Sequence, residues 1–349
     1  MRTTYAINDM TIHRIVEQEQ GFTPLLEFLP TLSKETLEEN LSWLAPGGYA
    51  RDTGNVVLCF QSYVVKTPHH NILVDACIGN NKTFPLRPTW NNKSDGNWMA
   101  ALKAAGLGVE DIDFVMCTHL HGDHVGWNTK LENGRWVPTF PKAKYLFSKK
   151  EYEFWTGGSV PAGFALDAIN ESVLPIVEAN RAELVTSDHA LNDHIRLLPT
   201  PGHTPDHFAV CAGRGKDQAV FTGDLIHSPI QARYPELVMR VDTDRDQGVR
   251  TRRAFLERYC DTDTVCCTMH FPSPSVGHQA LGRRVQARLP DLRRRAGGRT
   301  GGGFAAPVCI TAVILVNRLL AARFNPVHAS AFIQAIVGGA VAWVLMRKV

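Results

Sequence analysis

Thr118-His119-Leu120-His121-Gly122-Asp123-His124 follows directly on the apolar run Phe114-Val115-Met116-Cys117. The run reads as a short strand, and the turn after it packs three imidazoles and a carboxylate into six positions. Neutral imidazole nitrogen and carboxylate oxygen are the donors that borderline-soft divalent metals such as zinc accept. The turn therefore reads as metal chemistry rather than as a solvated loop that happens to be rich in histidine.

Outward from this turn, up to about residue 280, short β-branched runs alternate with polar turns. Strand candidates are Val56 to Val65, Asn71 to Val74, Asp113 to Cys117, Lys144 to Phe147, Ile195 to Leu198, Ala219 to Phe221 and Thr264 to Thr268. Helical patterns fall between them at Trp98 to Ala105, Lys149 to Trp155, Ala165 to Glu178 and Asp246 to Tyr259. The chain is thus mixed α/β. Further metal-type ligands recur where strand candidates end, at His203, Asp224 and His270.

The 349 residues suit one main domain with an appendage, and a net charge of +3 gives no electrostatic footprint for nucleic acid. Most of the eight cysteines sit in apolar runs without a CxxC pair, as buried small hydrophobes do in a reducing compartment. Residues 1–10 lack the apolar core of a secretory signal, so a cytoplasmic location is expected.

Near residue 282 the composition changes. Residues 282–303 read as an Arg/Gly-rich linker, and 304–349 as an apolar tail in which Phe324 to Met346 runs without an acid or a base. That run is long enough to span a bilayer, which would anchor the protein to a membrane. A buried terminal helix and a shift of reading frame are the alternatives.

Taken together, Thr118-His119-Leu120-His121-Gly122-Asp123-His124, Pro201-Gly202-His203-Thr204-Pro205, Phe221-Thr222-Gly223-Asp224 and Met269-His270 resemble the metallo-β-lactamase superfamily. The resemblance covers about residues 45–280, with Asp75 at the place of the family's strand-ending aspartate. It implies an α/β (α+β) fold, a four-layer αββα sandwich with two divalent metal ions at its edge, zinc by default. His119, His121 and His203 would hold one ion, Asp123, His124 and His270 the other, and Asp224 would bridge them. Two such ions can share a hydroxide and polarise the substrate oxygen. Asp123 and Asp224 are accordingly the candidate catalytic carboxylates. The implied division is 1–50 as an N-terminal extension or lid, 51–281 as the catalytic domain, then linker and tail.

His121 stands where the oxygen-reducing branch resembles a carboxylate site, which favours hydrolysis, and Asp224 disfavours a true β-lactamase. Flanking segments such as Gly223-Asp224-Leu225-Ile226-His227-Ser228-Pro229 and His270-Phe271-Pro272 resemble the branch of N-acyl-homoserine lactonases and methyl-parathion hydrolases. The implied activity is hydrolysis of a small-molecule lactone or ester. A phosphotriesterase is the runner-up, and a membrane-tethered, non-catalytic metal-binding protein is the rival of another class. Trp127, His227 and Phe271 are candidate pocket residues, with core packing or a surface position as the alternative. His207 is expected to support the ligands rather than join them, and a homodimer is compatible with the sequence.

Overall fold

The computed structural model describes residues 3–158, 160 and 164–277. The linker 282–303, the tail 304–349 with its candidate span, and the last residues of the 51–281 division lie outside the described residues. No helix among the described residues is long and apolar enough to cross a membrane.

The first sheet contains β1 (Thr4–Ile7), β2 (Met10–Pro24), β3 (Tyr49–Ala50), β4 (Asn55–Lys66), β5 (Asn71–Val74), β6 (Phe114–Met116), β9 (Lys144–Ser148) and β10 (Ala182–Val185). Its order is β1-β2-β4-β5-β6-β9-β10, with β3 also on β4. A hairpin of β7 (Thr129–Glu132) and β8 (Arg135–Pro138) stands beside it. The second sheet runs β11 (Ile195–Pro199), β12 (Phe208–Ala212), β13 (Ala219–Phe221), β14 (Val265–Cys267) and β15 (Val276–Gly277).

Side-chain alternation explains the layers, because successive strand residues point to opposite faces. Tyr63, Val65, Ile72, Val74, Met116 and Leu146 of the first sheet meet Leu197, Val210, Phe221 and Cys267 of the second in one buried cluster. Their neighbours Val64, Leu73, Val115, Tyr145 and Phe147 face the other way, onto α3 (Asn97–Ala104), α6 (Phe164–Ser172) and α7 (Leu174–Glu178). On the second sheet Ala209, Cys211, Val220 and Cys266 point out onto Phe255 and Tyr259 of α9 (Arg245–Tyr259). The result is the four-layer αββα sandwich. With both faces of each sheet covered, central strands read as continuous apolar runs rather than as alternating ones.

Two expectations need correction. Residues 1–50 are not a separate extension, because β2 pairs antiparallel with β4 from Thr11 opposite Lys66 to Pro24 opposite Asn55. Only α1 (Leu25–Phe28) and α2 (Lys34–Leu44) pack as an added layer, in a cluster with Phe60, Phe84, Trp90 and Met239. The single helix expected over Ala165 to Glu178 is two helices, and Pro175 in the first turn of α7 supplies the break, since proline has no N–H for a continuing ladder. Beyond His270 the second sheet gains one more strand, because β15 pairs antiparallel with β14.

One close approach ties the first sheet to the histidine turn. The Gly126 N–H donates to the Cys77 carbonyl at 2.8 Å, and a Cβ at Gly126 would lie 1.8 Å from the Ile78 carbonyl oxygen. Backbone on both sides leaves nothing flexible to yield. Gly126→Ala should therefore destabilise the fold by about 3 kcal/mol. Denaturant titration checks this, and an unchanged midpoint would contradict it.

Candidate metal centre

Each ligand candidate leaves a strand end. β6 delivers the turn and α4 (Gly122–Val125), the β11–β12 loop delivers His203, the turn after β13 delivers Asp224, and the end of β14 delivers His270. These residues, separated widely in sequence, converge on one carboxylate. Asp224 Oδ2 lies 3.6 Å from His119 Nε2 and 3.2 Å from His203 Nε2. Its Oδ1 lies 3.0 Å from His124 Nε2 and 2.9 Å from His270 Nε2. His121 Nδ1 sits 3.0 Å from both His119 Nε2 and His203 Nε2, while Asp123 Oδ2 is 3.8 Å from His124 Nε2 and 3.7 Å from His270 Nε2. The side chains form three overlapping groups that could hold a metal ion: His119, His121, His203 and Asp224 in the first, Asp123, His124 and His270 in the second, and Asp224, His227 and His270 in the third.

Hydrogen bonds on the far side of each ring fix which nitrogen points inward. His124 Nδ1–H donates to Asp75 Oδ2 at 2.9 Å, and His203 Nδ1–H to Asp242 Oδ1 at 2.8 Å. His119 Nδ1–H donates to Thr118 Oγ1 at 3.1 Å, and that hydroxyl donates onward to Asp75 Oδ2 at 3.0 Å. His270 Nδ1–H donates to the Cys59 carbonyl at 3.1 Å. Four Nε2 atoms are thereby aimed at the centre. Imidazole lone pairs 3 Å apart repel unless something positive lies between them, and Asp224 Oδ1 is a buried acceptor with no hydrogen-bond donor. The donor set fits divalent cations.

Electrostatics agree. Burial, reinforced by the neighbouring imidazoles, holds His119 and His121 well below the ordinary histidine value. Burial also acts against a charged His124, but Asp224, Asp75 and Asp123 outweigh it and raise that group. Burial would raise Asp224, yet the imidazoles around it keep its carboxyl well below the usual range. A field that favours a proton on His124 favours any cation placed there.

His207 is outside all three groups, as expected. Burial, with the nearby His203, pushes it down to about 3, and its neutral Nε2 accepts from the Asp224 N–H at 2.9 Å while Nδ1–H donates to Thr200 Oγ1 at 2.7 Å. Gly223 allows that approach. It has φ +52, and a Cβ there would lie 2.4 Å from His207 Nε2. His227 is not at a surface mouth. It is buried, with Nε2 3.0 Å from Asp224 Oδ2 and its ring stacked on His270 at 5.3 Å. Trp127 must be corrected to a core residue. It stacks on Trp98 at 5.4 Å, and its Nε1–H donates to the buried Glu17 at 2.8 Å, so the indole faces the helix layer of the first sheet. Phe271 is half-buried, and the phenyl rings against His270 and His227 are instead those of Phe60 and Phe28, at 5.2 and 5.5 Å.

Asp242 was not legible in the sequence. It lies in Val241-Asp242-Thr243-Asp244, where nothing distinguishes it from the other polar residues. Its role depends on a loop held from a distance by buried Arg252, which donates to the carbonyls of Leu225, Pro235 and Leu237. Asp242→Asn should weaken metal binding by about 10 to 100-fold, the usual span for a carboxylate that orients a ligating histidine. Chelator competition measures this, and an unchanged affinity would contradict the role.

Comparison with known proteins places this geometry. Residues 61–270 match the family model described as the Metallo-beta-lactamase superfamily. An N-acyl homoserine lactonase of Bacillus cereus is 27% identical over 106 residues, 30% of this chain and 35% of the lactonase. An anti-Pycsar protein Apyc1 of Paenibacillus sp. (strain J14) is 26% identical over 146 residues, 42% of this chain and 56% of that protein. The matched stretch thus spans about a third to a half of the length of these relatives. Among solved structures, the hydrolase AbOPH of the beta lactamase superfamily superposes with TM-score 0.66 at 23% identity, covering 79% of this chain and 91% of that one. AidC, described as a dizinc quorum-quenching lactonase, gives 0.64 at 22% identity, with 79% and 92% covered. These structural likenesses are of fold. With the family match extending over more than half of its length, from β4 to His270, the chain belongs to the metallo-β-lactamase superfamily.

Proposed function

We propose that this chain is a hydrolase that uses two divalent ions, zinc in the first instance, to open lactones or cleave related carboxylic esters. The observation that carries the proposal is the orientation of Asp224, with one carboxylate oxygen toward His119 and His203 and the other toward His124 and His270. When bound, a pair of divalent ions supplies Lewis acidity to the scissile group and an activated water.

The chain's own residues do the rest. Asp75, Thr118, Asp242 and the Cys59 carbonyl accept from the outward nitrogens and so hold each ring with Nε2 inward, so that no ligand has to turn before use. His207 and His227 hold Asp224 from its backbone and from Oδ2. Asp123 serves the second group and is less buried than Asp224, a position suited to steering the attacking water. Phe28 and Phe60, backed by Phe22 and Trp90, give the site an apolar wall for an acyl chain or aromatic group and limit the water that reaches it. The names of the lactonase relative and of AidC support lactones as the first substrate class.

A phosphotriesterase is the second reading. A paired metal site serves a phosphoryl oxygen as well as a carbonyl, and the aromatic wall suits an aryl leaving group. On the metal-loaded full chain, a lactone panel and an aryl phosphotriester separate the two. Asp224→Ala should lower whichever turnover is found by at least about 10²-fold and release the second ion while the fold persists. Near-normal activity in that variant would contradict the paired-metal mechanism, and metal binding without turnover of any substrate would favour a non-catalytic protein.

A further inference from the structure

We infer that Arg87 and Arg240 form an anion-recognition pair at the mouth of the metal pocket, selecting esters that carry an oxyanionic group beside their apolar part. The inference deepens the hydrolase reading and rests on it. Arg87 belongs to the segment between β5 and α3, which is held in place from several sides. The Thr83 N–H and hydroxyl donate to the Glu171 carboxylate at 3.0 and 2.6 Å, and the Arg87 N–H donates to the Phe84 carbonyl at 2.8 Å. Phe84 in turn lies so close to Gly122 that a Cβ there would meet its ring at 2.6 Å, which seats the segment on the turn that carries Asp123.

The Arg87 guanidinium lies 4.3 Å from the centroid of the Phe22 ring and 5.9 Å from that of Trp90. Such stacking holds the planar fork in one orientation and leaves its N–H edge available. Trp90 packs on Phe60 at 5.0 Å, and Phe60 on His270 at 5.2 Å, so an unbroken line of rings leads from the guanidinium to the metal group. Arg240 comes from the loop that supplies Asp242, and its N–H donates to the carbonyl of Phe28, the residue whose ring contacts His227.

Among the described residues neither guanidinium is in an ion pair. Half-burial and the charge of Arg240 both depress Arg87, and Asp123 only partly offsets them. Two like charges near the metal group, in no ion pair and only partly offset by Asp123, are relieved by an incoming anion, which an arginine fork binds through charge-assisted hydrogen bonds.

4-Acetoxybenzenesulfonamide and 4-acetoxybenzenesulfonate are a neutral and anionic pair with similarly electron-poor leaving groups, and sulfonate is a poor metal ligand. On the metal-loaded full chain the anionic ester should have the higher kcat/KM. The ratio of the two should fall about tenfold in Arg87→Gln/Arg240→Gln and shrink with added salt. A ratio near one in the unaltered protein, or an unchanged ratio in a variant that retains its metal, would overturn the pair. If neither ester turns over, the hydrolase reading is decided separately by the lactone panel and the phosphotriester. Calorimetry with benzenesulfonate and benzenesulfonamide then decides the pair, with sulfonate-selective binding lost in the variant supporting it and equal binding of the two overturning it.

Discussion

A buried carboxylate among imidazoles dominates this structure. Asp224, His119, His124, His203 and His270 are all nearly inaccessible to water, and several of their inward atoms lie at or near 3 Å from one another. Removing such groups from water is costly, and the cost is recovered only if something positive lies among them. The sandwich is the means of holding that arrangement. Its strand ends meet at one edge, and each brings a ligand whose position is set by backbone pairing rather than by a flexible loop.

The support extends outward in ordered steps. Asp75 has φ +57, receives the Thr118 N–H at 2.7 Å and holds His124, so one residue links the end of β5 to the turn after β6. Arg252 reaches from α9 to the carbonyls of the segments that carry Asp224 and Asp242. His270 and Cys59 bond to each other twice, N–H to carbonyl at 3.1 Å and ring to carbonyl at 3.1 Å, which joins the end of the second sheet to β4 of the first. The N-terminal helices then complete the aromatic wall over the rings of His227 and His270. Position at the metals, support behind them and an apolar approach in front are three consequences of one packing arrangement.

Much of this was legible in the sequence, for physical reasons. Strands such as Phe114–Met116 and Ala219–Phe221 are apolar throughout because both faces are covered, and their ends are marked by the ligand motifs themselves. The histidine turn announced itself because few other constraints place three imidazoles and an aspartate in six residues. What stayed hidden depends on contacts distant in sequence. Asp242 acquires meaning only from His203, 39 positions away. Trp127 reads as a pocket wall beside His124, but the close backbone packing of Gly126 on Ile78 turns the chain inward there. The pairing of β2 with β4 was masked because β2 mixes charged residues such as Arg14, Glu17 and Glu19 into its length, and two of these are buried in partnerships that no local pattern shows.

Titration of the metal-free full chain with Zn²⁺, followed calorimetrically, tests the paired centre most directly. Two equivalents bound per chain, with protons released at neutral pH because His124 and His203 hold theirs in the metal-free chain, is the expected result. Saturation at one equivalent or less would contradict a bridging role for Asp224 and with it the proposed chemistry.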